Sequence, residues 1–63
     1  MSEILKELEA GINEAEFAIS EADLAIKVLA GAGENVTAQK AELKRAKSRV
    51  KRFKASLKRV GGE

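Results

Sequence analysis

Sixty-three residues make one domain at most, too few for a deep core unless disulfides, a metal or self-association adds stability. The chain has no Cys and no His, which excludes disulfides, the common zinc ligand sets and the usual nucleophile–base pairs, and leaves self-association. Its net charge of +2 is unevenly divided: residues 1–30 carry seven acids and two bases, residues 35–60 ten bases and one acid.

That division predicts either mutual pairing of the two halves or an external anionic partner. No apolar run approaches the ~18 residues that span a bilayer. The N-terminus, MSEILKELEAG, is acidic where an export signal is basic. The expectation is a soluble, unexported chain, cytoplasmic if cellular.

The first predicted element is a helix over about 3–30. Ser2 can cap it, and Glu3 suits the positive end of its dipole. Apolar residues recur at alternating steps of three and four. Leu5, Ile12, Ile19 and Ile26 take heptad position a, and Leu8, Ala15, Ala22 and Leu29 take position d. Position g is also apolar or small: Ile4, Gly11, Ala18 and Ala25. The apolar face is therefore wider than a two-stranded seam needs. Gly11 in mid-helix costs about 1 kcal/mol relative to Ala. Either it is simply tolerated, or another backbone comes close there. Gly11, Ala18 and Ala25 are candidate contacts for a partner helix. Phe17 and Leu24 occupy position f, away from the seam, and Val28 extends their patch; these three are candidate contacts too.

Gly31-Ala32-Gly33-Glu34-Asn35 reads as the connection. Gly31 is placed to end the first helix in a left-handed conformation. Asn35 is the expected N-cap of the second, with Thr37 as the alternative. A loop over 31–35 between two long helices makes an antiparallel hairpin. The glycines lack the GxxxxGK[ST] context of a phosphate loop.

The second helix is predicted over about 36–60. Val36, Leu43, Val50 and Leu57 take position a; Gln39, Ala46, Phe53 and Val60 take position d. Pairing residues whose numbers sum to 65 sets every a against a d, with Ile12 on Phe53 and Ala15 on Val50. That register buries Phe53. Position e then pairs Glu9 with Lys54, Glu16 with Lys47 and Asp23 with Lys40.

Two basic columns remain. Lys44, Lys51 and Lys58 lie at b, and Arg45, Arg52 and Arg59 at c. Like-charge i,i+4 pairs such as Lys40/Lys44 and Lys47/Lys51 cost about 0.2–0.5 kcal/mol each. The six residues are candidates for contact with an anionic surface. Nucleic acid is one such surface, bound through its backbone, since that face has no stacking aromatic and no Asn or Gln for base readout. The column Glu7, Glu14 and Glu21 of a second copy is another. A membrane is disfavoured because the face lacks apolar anchors.

No catalytic, cofactor or metal site is expected. Bundle di-metal sites need a Glu-x-x-His pattern that this composition cannot supply. The length and the two-helix hairpin with Ile/Ala layers resemble the Rop-type four-helix-bundle dimers, which bind RNA. The likeness is one of architecture, since the first helix here has no matching polar face. The reading is an all-α helical hairpin, self-associating, with a dimeric four-helix bundle favoured. Its expected role is non-enzymatic: a structural or assembly module, or alternatively a nonspecific nucleic-acid-binding protein using the basic face.

Overall fold

The computed structural model describes residues 2–61, which form two helices, α1 (Ser2–Gly31) and α2 (Thr37–Gly61). They lie antiparallel in a hairpin 48 Å long and 15 by 11 Å across. The 30 residues of α1 account for that length, at about 1.5 Å per residue. No Pro interrupts either helix. The expected cap at Ser2 is a side-chain feature outside the described residues.

The connection is held by backbone geometry at one end and a side chain at the other. Gly33 N–H donates to the carbonyl of Ala30 and Glu34 N–H to that of Leu29, both at 3.0 Å. This is the double bond of a Schellman motif, and its left-handed residue is Gly33, with φ 89°. Gly31, expected in that role, stays helical. The cause is that Ala32 N–H still reaches the Val28 carbonyl at 3.1 Å, so the reversal falls on the next glycine. Asn35 caps α2 as expected: its Oδ1 accepts from Thr37 N–H at 3.0 Å and from Thr37 Oγ1 at 2.8 Å.

The packing seam is narrower than the apolar face that the sequence offers. Ile26, Val36 and Val50 are 7%, 7% and 9% exposed, and all three sit at position a. The other a residues, Leu5, Ile12, Ile19, Leu43 and Leu57, are half-buried. At position d only Ala15 and Ala46 reach that level, while Leu8 and Phe53 are 52% and 57% exposed. Half-burial reappears at position e, in Glu16 and Asp23. At 100° per residue, e flanks a on one side and d then g flank it on the other. The two helices therefore meet through a and e and leave d and g open.

The expected burial of Phe53 is corrected by this rotation. A single neighbouring helix can cover only part of a face that spans a, d and g. Turning toward e brings acids of α1 to lysines of α2 without giving up the a residues. The register stays within one residue of the expected one at the chain ends, while an ion pair reaches further. A side chain at Gly61 would meet Leu5 Cδ1 at 3.7 Å, and Lys54 Nζ lies 2.8 Å from Glu16 Oε2. The expected partners are Val60 for Leu5 and Lys47 for Glu16. Both observed contacts fall further toward the C-terminus of α2, the second by one heptad.

Candidate self-association groove

Leaving d and g open creates a groove of about 900 Å³ along one face of the hairpin. Its floor is the edge of the seam, with Ile12, Ile19, Leu43 and Val50 among the residues lining it. One wall comes from α1, through Leu8, Gly11, Ala18 and Ala22. The other comes from α2, through Ala46, Phe53, Ser56 and Val60. The groove is mostly apolar because d and g of α1 are apolar or small and d of α2 is apolar apart from Gln39, while g of α2 is Glu42, Arg49 and Ser56. Its charged lining residues are Glu7, Glu42 and Arg49.

Gly11 is explained by nothing within the hairpin. A Cβ built there has no heavy atom of another residue within 4 Å apart from the adjoining helix backbone. Its side of α1 faces open space, so a Gly in mid-helix is a cost without a compensating contact inside one chain. Ala18 lines the same groove. Ala25, the next residue on that line, is exposed and lies beyond the loop-ward end marked by Ala22 and Gln39.

The opposite face is polar. Glu9 and Asn13 share a shallow cleft with Lys54 and Lys58; Asp23 shares another with Lys40, Lys44 and Lys47. The acids of α1 thus interleave with the lysines of α2, in place of the expected one-to-one opposition. Among the described residues the ion pairs are Lys54–Glu16, Arg45–Glu42 at 2.8 Å and Lys27–Asp23 at 3.1 Å. All six side chains keep at least 38% of their surface in solvent, so each pair contributes at most about 1 kcal/mol.

The two basic columns part company across α2. Lys44 and Lys58 line the clefts shared with acids of α1, and Lys51 lies on their line at b. Arg45, Arg52 and Arg59 stand at c, next to the groove wall. Arg45 bonds Glu42 through both Nε, at 3.1 Å, and Nη2, at 2.8 Å. Phe17, Leu24 and Val28 are 67%, 58% and 72% exposed and line no part of the groove. The structure separates them from Gly11 and Ala18, the other partner contacts expected from sequence.

The groove's large residues, Leu8, Phe53 and Val60, are not among the contacts expected from sequence, because heptad pairing assigns them to a closed seam. The signal for them is present: position g is small in the first helix where a closed two-stranded pair needs only a and d to be apolar. Among the described residues no cluster of Asp and Glu is arranged to hold a metal ion. Among the described residues no helix is long and apolar enough to cross a membrane. Comparison with family models, curated proteins and solved structures finds no significant match, so the Rop-type likeness rests on architecture alone.

Proposed function

We propose that this protein is a non-enzymatic assembly module whose working form is a homodimer, two hairpins closed face to face into a four-helix bundle. The observation that carries this reading is the open d/g groove. In a four-helix bundle each helix meets one neighbour through a and e and the other through d and g. The hairpin has made the first contact and presents the surface for the second.

Surface area supports the same reading. A folded monomer of 6.8 kDa exposes about 4,000 Å². This hairpin exposes 5342 Å². The excess is larger than the roughly 800 Å² that each partner of a typical stable complex covers. Three buried side chains are also a thin core for 63 residues. Sedimentation equilibrium over micromolar concentrations is expected to give twice the 6.8 kDa chain mass. A stable, folded monomer at about 100 µM would overturn the proposal.

A second reading, backbone-directed binding of nucleic acid, draws on one observation. Among the described residues the ion pairs of α2 engage only Arg45 and Lys54 of its bases. Phe53 lines the groove, so the basic columns have no stacking aromatic beside them. Binding on this reading is sequence-independent, and Arg52→Gln lowers the salt slope by about one. Fluorescence anisotropy with a short duplex at low salt tests it; no binding there removes it.

A further inference from the structure

The groove and its flanking charges together define how a second copy would sit, an inference that rests on the self-association proposed above. Going outward from the groove, the order on each helix is d, g, c. The flank beyond the α1 wall is therefore the acidic column Glu7, Glu14 and Glu21. The flank beyond the α2 wall is the arginine column Arg45, Arg52 and Arg59. Glu7 already lines the groove from α1, and Glu42 and Arg49 line it from α2, Glu42 being paired with Arg45 of the outer column. The two walls thus carry opposite charge along their outer edges.

Two ways of pairing the hairpins groove to groove follow from two-fold symmetry. Placing α1 beside α1 and α2 beside α2 brings glutamates against glutamates and arginines against arginines. Placing α1 antiparallel to the second copy's α2 matches the signs and opposes the dipoles.

Only this second arrangement has its two-fold axis along the bundle. A rotation about that axis leaves every residue at its own height, so the levels set inside one hairpin also hold between copies. The observed levels are Leu5 with Gly61 and Glu16 with Lys54, residue numbers summing to 66 and 70. Within that window Glu7 meets Arg59, Glu14 meets Arg52 and Glu21 meets Arg45 of the second copy, each at 66. In the groove, Leu8 meets Val60 and Ala15 meets Phe53, each at 68, and small Gly11 and Ala18 meet Ser56 and Arg49, each at 67. Charged, small and large positions thus meet their complements at neighbouring levels, sums of 66 to 68, all inside the window set within the hairpin.

We infer that a second copy of this chain occupies the groove with α1 antiparallel to α2 of its neighbour, both loops at the same end, and Glu7, Glu14 and Glu21 clasped by Arg59, Arg52 and Arg45. The arginine column is then an assembly surface, and the lysine column is left outward.

The chain has no cysteine, so Ala32→Cys carries a single spin label in the loop. Dipolar spectroscopy on the full chain is expected to give one distance on the order of 20 Å, from helix spacings of 8–10 Å plus the label arms. The other arrangement puts the loops at opposite ends, near the 48 Å length of the hairpin. Glu14→Arg is expected to weaken dimerisation roughly tenfold, because two exposed pairs turn repulsive. Adding Arg52→Glu to the same chain is expected to restore it, with helix content unchanged by circular dichroism. A long label distance, or a Glu14→Arg dimer as tight as or tighter than the parent, overturns this arrangement and leaves self-association standing. A parent that is monomeric throughout overturns both.

Discussion

Lys54 Nζ lies 2.8 Å from Glu16 Oε2 and joins the two helices by an ion pair one heptad away from the partner that simple e-to-e facing assigns. The two side chains are 55% and 42% exposed. Their pair therefore sets alignment more than stability, at about 0.2–1 kcal/mol. Reversing Lys54 to Glu should destabilise the hairpin modestly, and Glu16→Lys on the same chain should recover part of the loss. The same rescue attempted with Lys47→Glu should recover less. Urea titrations of the double-mutant cycles decide the register, and equal coupling of Glu16 to both lysines would contradict its pairing with Lys54.

Ile26 is the residue to test for the hairpin seam itself. It is buried at position a against the loop end of α2, where Val36 is also buried. Ile26→Ala should cost about 2–5 kcal/mol. Phe17→Ala, on the outer face, should stay within about 0.5 kcal/mol. Chemical denaturation that ranked them the other way would place the core elsewhere.

Phe53 and Ala18 report on the groove. In a lone hairpin Phe53 is 57% exposed, and Phe53→Ala should then change stability by no more than about 0.5 kcal/mol. In the assembled form the same change removes a core ring and should cost about 3–5 kcal/mol. The larger value is expected, together with a Tm that rises with protein concentration. Ala18→Glu should convert the dimer to monomer by placing a charge in the groove. Sedimentation of that variant at the parent's mass would argue against burial there.

Gly11→Ala separates one chain from two. Nothing in the hairpin opposes the added methyl, so helix propensity alone should stabilise by about 1 kcal/mol. Close approach of a second backbone reverses the sign for the assembled form. A dimer weakened while the helices hold is the expected result; gain in both would show that Gly11 is only tolerated.

The loop glycines should behave oppositely. Gly33 has φ 89°, so Gly33→Ala should cost about 1–2 kcal/mol. Gly31 is helical and has open space around it, so Gly31→Ala should gain about 0.4–1 kcal/mol. Thermal melts of the two variants displaced in the same direction would contradict the turn geometry.

By itself the sequence determined that there are two helices, that they form an antiparallel hairpin, and that Asn35 caps the second. These follow from local causes: a 3–4 apolar rhythm, a Gly-rich interruption too short to do anything but reverse the chain, and a side chain that can accept from Thr37 N–H. Heptad letters also identified a third apolar column at Gly11 and Ala18. Which part of that broad face closes was decided only by tertiary structure. Periodicity assigns a direction to each side chain relative to its own helix axis but says nothing of how far either helix turns about that axis. Burial of the a residues and the meeting of Glu16 with Lys54 fixed that rotation and left Leu8 and Phe53 open. Height was read from core sizes to within one residue, with Leu5 expected at Val60 and found at Gly61, whereas a strict seven-residue repeat satisfies charge pairing equally well when slid by one heptad. The tertiary structure therefore chose Lys54 over Lys47 for Glu16, because a long lysine side chain reaches along the helix while Leu5 stays beside Gly61.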